Sequence, residues 1–337
     1  MNHYLCFSIP FVLGLAMAKP FIAFLKSLNS LQTFREQGPK SHIGSKFGTP
    51  TMGAWIFLIP IFITLGMLYF TTSDLRTLLV LAALIVGTVI GAIDDILKIL
   101  QANYKGLNSI QKLIIQLLAS IAIAYFSGRY LFADINTMFP EWMGPLLIIG
   151  EFIWAFLVIA GTSNAINLSD GLDGLATTLS ILAFAGLGCL LWFRSDFPMV
   201  AITIVVVGGL IAFLIFNFHP AKVFMGDTGS LALGMGLGAL AYLVRAEWYL
   251  LVFALIPVIE TLSVILQVLS AKFSRYFLRK DIRIFKMAPL HHHFELCGMH
   301  ELVVVYLFAG LQLIISLVFL YYYYCSCQPT SFSVVNH

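Results

Sequence analysis

Charged side chains are scarce. Only 10% of the 337 residues are Asp, Glu, Lys or Arg, against ~25% in an ordinary soluble domain. A chain this poor in charge cannot cover a water-facing surface, which excludes a soluble globular protein and a disordered one alike. Cysteine is sparse as well. Five are present, none in a CxxC pair, and Cys325 and Cys327 follow an apolar run with no histidine or acid nearby. Neither a disulfide framework nor a zinc site is indicated. The net charge is only +3, with no basic helix and no basic–aromatic interleaving of the kind that binds nucleic acid. No basic n-region precedes the first apolar run, because the first Lys or Arg is Lys19. Residues 1–25 therefore read as a retained span rather than a cleaved signal. Internal repeats, low-complexity linkers and a separate soluble domain are missing too.

What the chain does have is apolar length. It is 60% hydrophobic, with a mean hydropathy of +0.95. Apolar runs lie near residues 4–25, 54–70, 78–93, 113–133, 146–161, 175–193, 199–216, 231–244, 249–269 and 302–324. The expectation is an all-α, polytopic integral membrane protein of about ten transmembrane helices, one domain over residues 1–337. An even number of spans puts both termini on one side. Fifteen Lys and Arg fall in the odd-to-even connections and four in the others. By the positive-inside rule the first set is cytoplasmic and both termini are outside. Asp94, Asp95, Asp170, Asp173 and Asp227 all fall on that cytoplasmic side, at span ends or in short connections.

Five polar constellations carry the candidate chemistry. Asp94 and Asp95 end an apolar helix, where acids oppose the helix dipole. Neighbours on a helix point about 100° apart, so only one of the pair faces a given site. In Asn164-Ala-Ile-Asn167-Leu-Ser-Asp170-Gly-Leu-Asp173-Gly, polar residues recur every third position. Two amides and two acids suit a metal, a uracil-like base or sugar hydroxyls, whereas a helix cap needs only one of them. In Asn217-Phe-His219-Pro-Ala-Lys222-Val-Phe-Met-Gly226-Asp227-Thr228-Gly-Ser230, Asp227 can hold a divalent cation, and the turn at the helix start can meet an anion. This is not a Walker A loop, and a plain capped turn is the alternative. The run Lys286-Met-Ala-Pro-Leu-His291-His292-His293-Phe-Glu295 lacks the HExxH zinc pattern. Its histidines suit phosphate or diphosphate, or else the loop lies on anionic headgroups. Lys46, in Lys46-Phe-Gly-Thr-Pro-Thr-Met-Gly53, can hold a phosphate, and a structural turn explains that segment equally well. Carboxylates, lysines and histidines at a membrane edge together suit a Mg2+-dependent reaction of phosphorylated substrates, one water-soluble and one lipid-borne. Glu260 stands apart, inside the ninth run. Pro257-Val-Ile-Glu260-Thr marks either a helix break opening the acid to a lipid-phosphate groove or a buried structural hydrogen bond.

Thr49-Pro-Thr-Met-Gly53, Asp94-Asp95, the Asn164–Ala176 stretch, Phe224-Met-Gly-Asp-Thr-Gly-Ser230 and Met287-Ala-Pro-Leu-His-His-His-Phe-Glu295 closely resemble the motifs of the phospho-N-acetylmuramoyl-pentapeptide-transferase family. That family belongs to the wider polyprenyl-phosphate N-acetylhexosamine-1-phosphate transferase superfamily. The resemblance runs from about residue 35 to the last span, and Ala-Pro-Leu-His-His-His is its most specific part. It implies transfer of phospho-MurNAc-pentapeptide from UDP-MurNAc-pentapeptide to undecaprenyl phosphate, giving UMP and lipid I in peptidoglycan synthesis. It also implies Mg2+, a bacterial inner membrane with the site facing the cytoplasm, and a homodimer. Asp94, Asp95 and Asp227 match the family's essential aspartates, with Asp227 the expected Mg2+ ligand and Asn167 a second candidate. Lys46, Thr51, Lys98, Lys112, Asn164, Asp170, Asp173, Asn217, Phe224, His291, His292 and His293 fall to the substrates. Residues 271–300 would form a cytoplasmic substrate loop. Departures are Ala54 where a further Gly is common, Ser169 for Thr, and a longer, more basic stretch at 271–283.

A phosphate monoester is largely ionised at pH 7, with a second pKa near ~6. The lipid nucleophile thus needs positioning more than a strong base, which favours direct attack over an aspartyl-phosphate intermediate. Rival readings are a UDP-GlcNAc transferase, against which the triple histidine counts, and an ion-coupled transporter. A transporter would want ionisable groups along a midplane path, and only Glu260 lies there.

Overall fold

The computed structural model describes residues 2–28, 48–100, 106–128 and 144–327, and among them no strand forms. The helices are α1 (His3–Ser27), α2 (Trp55–Thr72), α3 (Leu75–Leu100), α4 (Ser109–Phe126), α5 (Gly144–Leu168), α6 (Leu175–Phe193), α7 (Phe197–Asn217), α8 (Gly226–Leu243), α9 (Leu250–Phe253), α10 (Leu255–Phe273), α11 (Leu290–Leu296) and α12 (Glu301–Cys327). Helix is what such runs must form in lipid, where every backbone polar group needs an internal partner. Nine of the described helices are long and apolar enough to cross a membrane.

The expected span that is not among those nine is the eighth, α8. The reason lies in its position. Every residue from Thr228 to Leu243 is buried, with α3 and α5 packed along it. A helix that meets protein on all sides has no lipid to match, so it can carry Gly229, Gly234, Gly236 and Gly238 in place of bulk. Close backbone approach on small residues is the usual packing of membrane helices. It is tightest at Gly91 of α3, where a Cβ would stand 2.1 Å from the Asp227 carbonyl oxygen. That contact brings the end of α3 against the start of α8.

A buried polar ladder locks α4 and α5 onto α8. Gln116 Nε2 donates to Ser163 Oγ at 3.1 Å, and the Ser163 hydroxyl donates to the Leu231 carbonyl at 3.1 Å. Asn164 Nδ2 donates to Gln116 Oε1 at 3.2 Å and to the Ala160 carbonyl at 2.7 Å. The connection before α2 is stitched to the one before α8. Phe224 N–H donates to the Pro50 carbonyl (2.9 Å) and Gly53 N–H to the Phe224 carbonyl (2.8 Å).

The opposite end has its own clamp. Arg76, at the start of α3, reaches Asp74 (2.8 Å) and Asp196 (2.6 Å). Burial works to raise the Asp74 pKa, but hydrogen bonds and charge from Arg76 hold it below the usual carboxylate value. Eighteen residues of helix separate Arg76 from Asp94, about 27 Å at 1.5 Å per residue. Arg76→Gln is therefore expected to lower the melting temperature by a few degrees and leave turnover unchanged, as thermal unfolding beside a rate assay would show.

Candidate active site

Asp94 and Asp95 sit near the end of α3 and point to different tasks. Asp94 is fully buried. Its Oδ1 accepts the Leu107 N–H at 2.6 Å, and its Oδ2 meets Lys98 Nζ at 2.6 Å and Lys112 Nζ at 3.0 Å. Both ammonium groups also reach Asp227 Oδ2, at 3.1 and 2.8 Å. Two carboxylates and two lysines thus alternate around one point. Asp95 instead caps α8. It accepts N–H bonds from Asp227 (3.2 Å) and Thr228 (2.9 Å) and the Thr228 hydroxyl (2.7 Å). Gly226 makes this possible. Its φ is +72°, and a Cβ there would lie 2.5 Å from Asp95 Oδ2 and 2.9 Å from Thr51 Oγ1. Oxygens of Asp94, Asp95 and Asp227 lie within 4.8 Å of one another. This all-oxygen donor set fits a hard divalent cation, with Asp95's oxygens already committed to α8. Beside it, Asn167 Oδ1 accepts the Ser230 hydroxyl at 2.8 Å.

A second knot joins the α5–α6 turn to α7 and α12. Asp173 Oδ2 lies 3.0 Å from His219 Nδ1 and accepts the Ala221 N–H at 3.0 Å. The Asp173 N–H donates to Glu301 Oε1 at 2.7 Å. Asn217 uses both ends of its amide, accepting from Thr177 (2.6 Å) and donating to the Val223 carbonyl (3.0 Å).

The histidine segment forms α11. His291 is 1% exposed, and its ring lies between two elements. Glu260 of α10 accepts the His291 N–H at 3.2 Å, and its other oxygen is 3.3 Å from Nδ1. On the far side, a Cβ at Gly171 would be 2.1 Å from Nε2. His292 Nδ1 pairs with Glu295 at 2.9 Å. His293 Nδ1 accepts the Lys286 N–H at 3.1 Å.

The three groups share one end of the bundle. Gly171 and Asp173 belong to the same turn, and that turn follows Asn167, which is bonded to α8. Residues 77–245 match the model of glycosyl transferase family 4. The phospho-N-acetylmuramoyl-pentapeptide-transferase of Listeria welshimeri is 40% identical over 313 residues, covering 91% of this chain and 94% of that protein. Its counterparts in Clostridium botulinum (38%, 91% and 92% covered) and Halalkalibacterium halodurans (39%, 93% and 95% covered) are equally extensive. The chain belongs to the phospho-N-acetylmuramoyl-pentapeptide-transferase family.

For a member of that family, the expected residues gather unevenly. Thr51, Asp94, Asp95, Lys98, Lys112, Asn167 and Asp227 surround the α3–α8 contact, while Asn164 sits one turn back, in the polar ladder. Asp170 and Asp173 occupy the α5–α6 turn, with Asn217 enclosed beside the knot and Phe224 in the stitched connection. His291 is enclosed between Glu260 and Gly171, whereas His292 and His293 are only half-buried. Lys46 lies outside the described residues. Of the two readings of Pro257–Thr261, the helix break is not found there: the break falls earlier, at Ala254, between α9 and α10. Glu260 therefore lies within continuous helix and makes the buried hydrogen bond. Sequence reasoning missed Gln116 and Glu301. A glutamine inside an apolar helix and an acid in the first turn of the last span were the available signals.

Proposed function

We propose that this chain moves phospho-MurNAc-pentapeptide from UDP-MurNAc-pentapeptide to undecaprenyl phosphate, releasing UMP and forming lipid I. The observation that carries the reading is the Asp94–Lys98–Lys112–Asp227 ring at one end of a membrane bundle. A phosphoryl centre needs fixed positive charge and hard-cation ligands where a lipid headgroup can reach. The excess of Lys and Arg on this side supports a cytoplasm-facing site in a bacterial inner membrane. An oxygen of the lipid phosphate bonds to the β-phosphorus, and the β-phosphorus–oxygen bond toward the α-phosphate breaks. That oxygen leaves with UMP. Lys98 and Lys112 neutralise phosphate oxygens, and Asp94, held by Leu107 N–H, keeps both ammonium groups in place. Asp227 and Asp94, with Asn167 beside them, would hold Mg2+, which when bound offsets the charge of the diphosphate. Asp170, Asp173 and Thr51 fall to the nucleotide side, and His291, His292 and His293 to the diphosphate side.

Purified protein is expected to release UMP only when the sugar nucleotide, the polyprenyl phosphate and Mg2+ are all present. Without the lipid, labelled UMP should not exchange into the nucleotide. Equal turnover of UDP-GlcNAc would remove the substrate assignment, and rapid lipid-free exchange would remove direct attack.

A further inference from the structure

One part of the molecule leaves the bundle. In α10 the buried residues are Ile256, Pro257, Glu260 and Ser263, and after them only Ala271. Beyond Ser263 the helix projects as an arm, turns through π-helical Ser274–Leu278 and comes back. Its base is closed by side chains. Gln267 Nε2 donates to the Phe285 carbonyl (2.8 Å), its Oε1 accepts the Phe285 N–H (3.0 Å), and Ser274 Oγ accepts the Ile282 N–H (3.0 Å). Between these clamps residues 275–284 are exposed without exception.

The exposed residues are of two opposed kinds. Tyr276 is 81% exposed, Phe277 64% and Ile284 57%. Interleaved with them are Lys272, Arg275, Arg279, Lys280, Arg283 and Lys286, and the one acid between Lys272 and Lys286 is Asp281. Asp281 is shared by Arg283 at 3.1 Å and Arg275 at 3.8 Å, which leaves a clear positive excess. Bare rings are disfavoured in water, and cations are disfavoured among lipid tails. Both are satisfied at the headgroup boundary, where rings dip inward and long basic side chains reach outward. The positive excess selects anionic over zwitterionic headgroups.

We propose that residues 272–286 are a binding surface for anionic phospholipid headgroups of the surrounding bilayer. This surface is distinct from the place where the phosphorylated acceptor reacts. The closed base presents it already folded. Its root is tied to α11, since Lys286 Nζ donates to the Leu296 carbonyl at 3.0 Å and Lys286 N–H to His293.

The test uses the full chain in bilayer nanodiscs free of polyprenyl phosphate, probed with spin-labelled phosphatidylglycerol and phosphatidylcholine. The wild-type chain should favour the anionic probe about threefold. The variant Arg275→Gln/Arg279→Gln/Lys280→Gln/Arg283→Gln should lose most of that preference at an unchanged melting temperature. Excess inorganic phosphate should leave the wild-type preference intact. A preference equal in the variant, absent in the wild type, or abolished by free phosphate overturns the proposal. None of these readouts depends on the chain's catalytic activity, so they stand apart from the proposed reaction.

Discussion

Asp227→Asn is expected to cut turnover roughly 10²- to 10³-fold while the melting temperature stays within a few degrees. The two halves of this result have different physical sources. Asp227 Oδ2 is the common partner of Lys98 and Lys112, and neutralising it leaves two ammonium groups sharing Asp94 alone. The oxygen cluster also loses one of its formal charges, so a higher Mg2+ concentration should be needed for half-maximal rate. The fold does not depend on this carboxylate, because the start of α8 is held by Asp95. Asp95→Ala should show the reverse balance. It strands the Asp227 and Thr228 N–H groups and the Thr228 hydroxyl in a buried place, at a cost of about 3 kcal/mol, and it loosens the position of Asp227 as a consequence. Unfolding temperature, Mg2+ titration and rate measured on both variants separate the two roles. Wild-type turnover in Asp227→Asn would remove the residue from the reaction, and an unshifted melting temperature in Asp95→Ala would remove the cap.

The sequence carried some of this and withheld the rest for identifiable reasons. Lipid-facing helices were legible because each needs its own apolar run, and the acids were legible because each breaks one. The α8 span was the shortest of the ten apolar runs, residues 231–244, since a helix enclosed by protein is released from matching lipid. That Asp94 and Asp95 face different partners follows from helical geometry. Asp94 meets Lys98 by an i,i+4 relation along α3, whereas the Asp95 cap depends on α8, 132 residues away in the Asp95–Asp227 bond. The Asp173–Glu301 bond spans 128 residues, and no local pattern announces it. The histidine run suits phosphate or diphosphate, but its sequence does not say how the three side chains are placed. The fold separates them, enclosing the first and leaving the next two at the rim.

Glu260→Gln is expected to lower turnover about tenfold, and Glu260→Gln/His291→Asn to fall no lower than the worse single variant. A carboxylate buried in a membrane helix is costly unless its partners are fixed. Glu260 has two contacts to a single residue, the His291 backbone N–H and Nδ1. His291 in turn presses on the Gly171 backbone, one position from Asp170 and two from Asp173. The carboxylate therefore sets where α11 begins and how it meets the α5–α6 turn, and it does so through His291. Residues that act as one unit show strong coupling, about 2 kcal/mol for groups in direct contact. Independent roles would instead multiply, giving the double variant the product of both losses. The cycle should be run on the rate with saturating substrates, beside melting temperatures that show all four proteins folded. Gly171→Ala supplies an independent arm, since its added methyl would displace the His291 ring without touching Glu260. It should reproduce the Glu260→Gln loss, and normal turnover in that variant together with multiplicative losses in the cycle would overturn the route from Glu260 through His291.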